Sequence, residues 1–192
     1  VVVLKGGTTG AGTKAASSHT GALASDSSVF EGAMRSAGAV LVDDPEHAFD
    51  VAAAFATQPL PAGDRVVVLT TVGGWGVVTA DTIAHAGQLK LIDLPDDLLA
   101  DIDGMLPPRW SRSNPVDCAG GETRDTVPAL IDAVAAHPSV DAIVFLGLGI
   151  QSNQASLMSA GPFATDVDVA RIADYHRRQD TRYVEAAVTA ST

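Results

Sequence analysis

A histidine in the string Ser17-Ser18-His19-Thr20-Gly21-Ala22-Leu23-Ala24 stands among small polar residues, just ahead of an alanine-rich stretch. A neutral imidazole in that setting can meet a ligand and attack through a ring nitrogen. An ordinary exposed or capping histidine has the same local sequence. Three glycine-rich turns supply complementary chemistry: Gly6-Gly7-Thr8-Thr9-Gly10-Ala11-Gly12 after the first apolar run, Gly73-Gly74-Trp75-Gly76 after Val66 to Leu69, and Gly120-Gly121-Glu122-Thr123 ahead of a helical stretch. Where such turns open a helix, unpaired N–H groups and the positive end of the dipole favour an anion such as phosphate.

The first turn does not satisfy the known phosphate motifs. Gly7 to Gly12 has P-loop glycine spacing, but Thr13 stands where lysine is required and Lys14 comes one place late. Gly10-Ala11-Gly12-Thr13-Lys14-Ala15 fits a loose dinucleotide pattern, with Asp43 ending the next strand as a ribose-binding acid would. The tight turn should follow its strand at once, and five residues separate Leu4 from Gly10. Cys118 has no obvious histidine to serve it as a nucleophile and reads as a small buried apolar residue. Asp96, Asp97, Asp101 and Asp103 lie along one helical stretch as a solvated face, without the glycine geometry of a calcium loop, so no metal site is expected. His47, His85, His137 and His176 are scattered singly and read as surface residues.

The elements that position these groups alternate in type. Val1 to Leu4 is a strand, Gly6 to Gly12 a loop, Ala22 to Ala37 a helix, Val40 to Val42 a second strand, and Pro45 opens a second helix at its tolerated first position. The Pro/Gly-rich stretch 59–64 is a linker. Beyond it come strand Val66 to Leu69, the glycine turn and a helix to about Ala86, strand Leu89 to Ile92, and an acidic helix from Asp96 to Met105. A loop from Pro107 to Glu122 follows, then a helix from Val127 to Ala136, strand Ala142 to Leu146, and a helical pattern from Val167 to Val188. Near-continuous apolar strands alternating with helices predict an α/β fold, with parallel sheets between helices on both faces. The chain begins on a β-branched run without methionine, which reads as a piece of something longer. Residues 1 to 58 hold too few elements to cover their own apolar faces and should associate with other chain.

Composition narrows the function. The 192 residues carry 12 Lys+Arg against 23 Asp+Glu, a net charge of −11 that is the wrong sign for binding nucleic acid or an anionic membrane. A single cysteine cannot close an intrachain disulfide, which fits a reducing cytoplasm. No apolar run approaches the roughly 20 residues that span a bilayer.

Taken in order, Val1-Val2-Val3-Leu4-Lys5-Gly6-Gly7, Ser18-His19-Thr20-Gly21-Ala22-Leu23-Ala24, Ala37-Gly38-Ala39-Val40, Val42-Asp43-Asp44, Gly73-Gly74-Trp75-Gly76-Val77, Leu106-Pro107-Pro108 and Asn114-Pro115-Val116-Asp117 resemble the NDP-forming acyl-CoA synthetases. These are relatives of succinyl-CoA synthetase and the ADP-forming acetate–CoA ligases. The resemblance covers most of residues 1 to about 150. Ser25 departs from the family's usual glycine, and Trp75 stands where proline is frequent.

The resemblance implies flavodoxin-like units: 1–58 as the C-terminal part of the phosphohistidine domain, 59–64 as linker and 65–192 as the CoA-ligase domain. It implies that His19 carries phosphate between an acyl-CoA-forming site and a nucleotide site, in a loop supported by Ser18, Thr20 and Gly21. Gly73, Gly74 and Gly76 resemble the turn whose helix N-terminus holds that phosphate, with Thr71 as hydroxyl donor. Gly120, Gly121 and Thr123 make either a second anion cradle or, for Thr123, a plain helix cap. The implied reaction is acid + CoA + ATP giving acyl-CoA + ADP + phosphate. ATP or GTP, with Mg, would enter through an ATP-grasp domain or subunit, and CoA through a Rossmann domain, neither of which is recognisable here. A small carboxylic acid is the implied substrate and an oligomer the implied assembly. The alternative is a non-catalytic effector-binding module of a protein acyltransferase built on the same scaffold, in which the histidine tends to be replaced.

Overall fold

The computed structural model describes residues 1–20, 26–121, 123 and 125–191, excluding the side chains of His19 and Thr20. The chain divides into two compact units, Val1–Leu60 and Pro61–Thr192.

In the first unit β1 (Val2–Leu4) pairs in parallel with β2 (Val40–Val42), Val2 opposite Val40. Between them lie α1 (Gly10–Thr20) and α2 (Ser27–Ser36), and α3 (Pro45–Thr57) follows. The expected loop over Gly6 to Gly12 is shorter than predicted, because helix begins at Gly10. Thr9 supplies the cap: its hydroxyl accepts the Gly12 N–H at 3.1 Å and its carbonyl accepts Thr13 N–H at 2.8 Å. The next helix starts later than Ala22, because Asp26 caps it through Ser28 N–H at 2.8 Å. Ala22, Leu23 and Ala24 lie outside the described residues. Asp44 caps α3, with Pro45 in its first turn. Val42 is the unit's one buried apolar residue among those described, while Phe49 and Val29 are exposed.

The second unit is built around β3 (Arg65–Thr70), whose last five residues are buried on both faces. It pairs in parallel with β6 (Ala142–Leu146) along one edge, Val66 opposite Ala142 through Thr70 opposite Leu146. The other edge is shared by two short parallel strands: β4 (Lys90–Leu91) beside Arg65 and Val66, and β5 (Val116–Asp117) beside Leu69 and Thr70. Alternation along β3 divides the core. Val67 and Leu69 pack with α5 (Asp96–Met105), α6 (Thr126–Ala135) and Trp110, whereas Val66 and Val68 pack with Ile83 of α4 (Gly73–Ala86). The fold is α/β, with parallel sheets flanked by helices.

Three elements differ from expectation. The stretch Gly73 to Gly76 is the first turn of α4 itself. The loop from Pro107 onward contains β5, and a short α7 (Ile150–Ser156) precedes the last helix. That helix, α8 (Asp166–Ala190), covers the expected Val167 to Val188, and its Tyr183 ring packs edge-on against Phe145 of β6, centroids 6.0 Å apart. Among the described residues no helix is long and apolar enough to cross a membrane.

Candidate active site

The carboxyl ends of β3, β5 and β6 lie side by side, and each runs into a glycine turn. In open parallel sheets this is the ligand-binding end.

The turn after β3 is locked from within. The Thr70 hydroxyl accepts the Val72 N–H and faces the Val72 carbonyl, both at 2.9 Å, and Thr71 N–H donates to the Leu146 carbonyl at 3.2 Å. No side chain caps α4 at Val72, so the helix start is left to the glycines. Gly74 is exposed with open space beside it. Gly76 is buried, and a β-carbon there would sit 3.0 Å from Thr70 Cγ2 and 3.4 Å from Pro115 Cβ, so this glycine lets α4 lie close on the sheet.

The turn after β5 is held by two charged side chains. Asp117 Oδ1 accepts the Ala119 N–H at 2.9 Å, and the Arg109 guanidinium donates to the Ala119 carbonyl from Nε at 3.0 Å and Nη2 at 2.8 Å. Ala119 and Gly120 both have positive φ, +54° and +63°. Gly121 lies against Pro107, with no room for a β-carbon. The Asp117 carboxylate also fills the space where a Gly73 β-carbon would stand, so one residue joins the two turns. Thr123 N–H donates to the Thr126 hydroxyl at 2.9 Å, and the two hydroxyls are 2.8 Å apart. These bonds close the turn ahead of α6 (Thr126–Ala135), whose N-cap position is Asp125 with no side-chain cap, so Thr123 is not its cap.

A third turn follows β6, one that the sequence reading does not single out. Gly147 has φ +115° and Gly149 φ +76°, and the Thr71 hydroxyl occupies the place of a Gly147 β-carbon. The sequence signal was present as Gly147-Leu148-Gly149, directly after an apolar strand. Thr71, Gly73, Gly74, Gly120 and Gly121 thus belong to one end of the sheet, with Asp117, Arg109 and Gly147 as members that spacing did not single out.

His19 belongs to the first unit. It lies in the last turn of α1 and not in the expected loop, and Ser18 is exposed with its hydroxyl donating to the Ala15 carbonyl at 2.8 Å. Thr20 ends the same helix, and Gly21 lies outside the described residues. Cys118 is 2% exposed, within the core beside α5 and α6. Asp103 is not a solvated carboxylate: it accepts Trp110 Nε1–H at 2.7 Å and Arg112 Nε–H at 2.9 Å. Among the described residues no group of three or more His, Cys, Asp or Glu could hold a metal ion.

A parallel sheet flanked by helices, with its glycine turns gathered at one end, defines a flavodoxin-like ligand-binding class. Residues 1–55 match the succinyl-CoA ligase like flavodoxin domain, and residues 66–150 match the Ligase-CoA domain. The 4-hydroxybutyrate–CoA ligase (ADP-forming) of Nitrosopumilus maritimus is 35% identical over 144 residues, 75% of this chain and 20% of that protein. The acetate–CoA ligase (ADP-forming) II subunit alpha of Pyrococcus furiosus is also 35% identical over 144 residues, 75% of this chain and 31% of the subunit. The dinucleotide-forming acetyl-coenzyme A synthetase 1 of Ca. Korarchaeum cryptofilum, solved in complex with phosphate and ADP, superposes with a TM-score of 0.69. It is 29% identical, across 98% of this chain and 45% of that one. The chain belongs to the NDP-forming acyl-CoA synthetase family, of the succinyl-CoA synthetase type. It spans about a fifth to a third of the length of the two curated relatives named here.

Proposed function

We propose that this chain is the part of an ADP-forming acyl-CoA synthetase that carries the phosphohistidine and one half of its phosphate cradle. The observation that carries this is the uncapped glycine start of α4, set between the turns after β5 and β6 in a chain whose relatives are ADP-forming CoA ligases. In this reading residues 1–58 complete the phosphohistidine domain, 59–64 link, and 65–192 form the ligase domain.

His19 is the phosphate carrier. One ring nitrogen attacks the terminal phosphorus of the nucleotide, forming the N–P bond as the bond to the ADP oxygen breaks. The phosphoryl group then passes to the carboxylate of the acid. The CoA thiol attacks the resulting acyl phosphate at carbon and phosphate departs, so each bond broken is matched by one formed. Thr71, Gly73 and Gly74 offer the phosphate a hydroxyl and backbone N–H groups at the positive end of α4. Gly120 widens the same end of the sheet, while Gly76, Gly121 and Thr123 serve by letting their elements approach and close. Mg and the nucleotide enter through an ATP-grasp domain or subunit and CoA through a Rossmann domain. The setting is cytoplasmic and the assembly oligomeric.

The test is phosphate transfer in the complete ligase carrying this chain, with labelled ATP and magnesium. An acid-labile, alkali-stable label is expected on the peptide containing His19, and none in His19→Asn. Normal acyl-CoA formation by His19→Asn would overturn the assignment and move the weight to an effector-binding module.

A further inference from the structure

The turn after β6 is built from two glycines in conformations that other residues rarely adopt, and α7 begins there with no side-chain cap of its own. The missing cap comes from a distant helix. Asp180 of α8 accepts the Gly149 N–H through Oδ1 at 3.1 Å, a charge-assisted bond at a helix start. One turn further along α8, Tyr183 packs on Phe145, two residues before Gly147. α8 therefore grips the exit of β6 on both sides of Gly147. Gly147 in turn makes room for the Thr71 hydroxyl, while Thr71 N–H holds the Leu146 carbonyl at 3.2 Å. No rotamer change in Thr71 alone can separate the two turns, because one of the contacts is backbone to backbone.

We propose that Asp180 is a positioning residue for the Thr71 turn, acting through Gly149 and Gly147. It lies outside the residues that either family match covers. Its consequence for phosphate transfer rests on the reading of Thr71 given above, but the mechanical coupling does not.

Two measurements separate these. In the isotopically labelled chain, Asp180→Ala should displace the amide resonances of Gly149, Gly147 and Thr71 together, leaving Val2 to Leu4 in place. Asp180→Asn, which keeps an acceptor without the charge, should move the same three in the same direction by less. A shift confined to Gly149 in either variant overturns the proposal, and Asp180→Asn decides alone if the alanine variant does not fold. In the complete ligase, His19 phosphorylation by Asp180→Ala should slow on the order of ten-fold, as expected for a reacting group displaced by a fraction of an ångström. If Thr71→Ala phosphorylates His19 at the wild-type rate, the site assignment fails, while the resonance shifts still judge Asp180.

Discussion

The side-chain amide of Asn114 completes the edge of β3: its Oδ1 accepts the Val68 N–H at 3.0 Å, midway between the stretches paired with β4 and β5. The same side chain donates from Nδ2 to the carbonyls of Val66 at 2.8 Å and Ile92 at 3.0 Å. One side chain thus stands in for the strand residues missing where β4 has ended and β5 has not begun. Asn114→Ala leaves a buried N–H without its partner, at a cost of about 2 kcal/mol or more. Urea unfolding should show that loss, and hydrogen exchange should show the Val68 amide among the most accelerated.

Gly147→Ala should cost about 1–3 kcal/mol, because an L side chain is strained at φ +115° and its β-carbon meets the Thr71 hydroxyl. Thr71→Ala removes the collision and leaves the strain. The double variant should therefore recover part of the loss and not all of it, a coupling that a double-mutant cycle measures.

Trp110 is 4% exposed and Trp75 is 60% exposed, so acrylamide should quench Trp75 selectively in the folded chain. Trp110→Ala empties core beside α5 at about 3–5 kcal/mol. Trp110→Phe loses chiefly the bond to Asp103, about 1 kcal/mol, since Asp103 keeps Arg112. Equal losses in the two variants would remove the distinction between packing and hydrogen bonding here.

Arg65 grips Asp141 through two guanidinium nitrogens, Nε and Nη2, and its own backbone N–H, which lowers the Asp141 carboxyl from 3.8 to about 2. A carboxyl depressed on folding contributes stability above its unfolded value and loses it as pH falls through the folded one. Asp141→Asn should therefore lower the melting temperature at pH 7. The gap to wild type should close between about pH 4 and pH 2, which parallel melts across that range would check.

Elements with a clear apolar pattern of their own were the legible ones. β6 spans Ala142–Leu146 as its unbroken apolar run predicts, and α5 spans Asp96–Met105, where Leu98 and Ile102, four residues apart, are the buried pair. β5 was hidden because two residues carry no period, and its place depends on Asn114, a contact 46 residues from Val68. α1 was hidden by Gly10 and Gly12, poor helix formers whose start is set by the Thr9 hydroxyl. Of the candidate site, the two glycine turns were legible from residue type and Thr71 only through the family resemblance. Arg109, Asp117, Gly147 and Asp180 were not, since each acts through a backbone group that only the folded sheet brings near.

Every strand of the second unit's sheet is hydrogen-bonded to β3 and, among the described residues, no two of the others pair with each other. The sheet is a hub with spokes, so β4, β5 and β6 can each fray alone, but β3 can open only when all three let go. Its central amides should exchange only through global unfolding. Thr70 ends that strand and Thr71 follows it directly, which anchors the mouth of the site to the slowest-opening part of the domain.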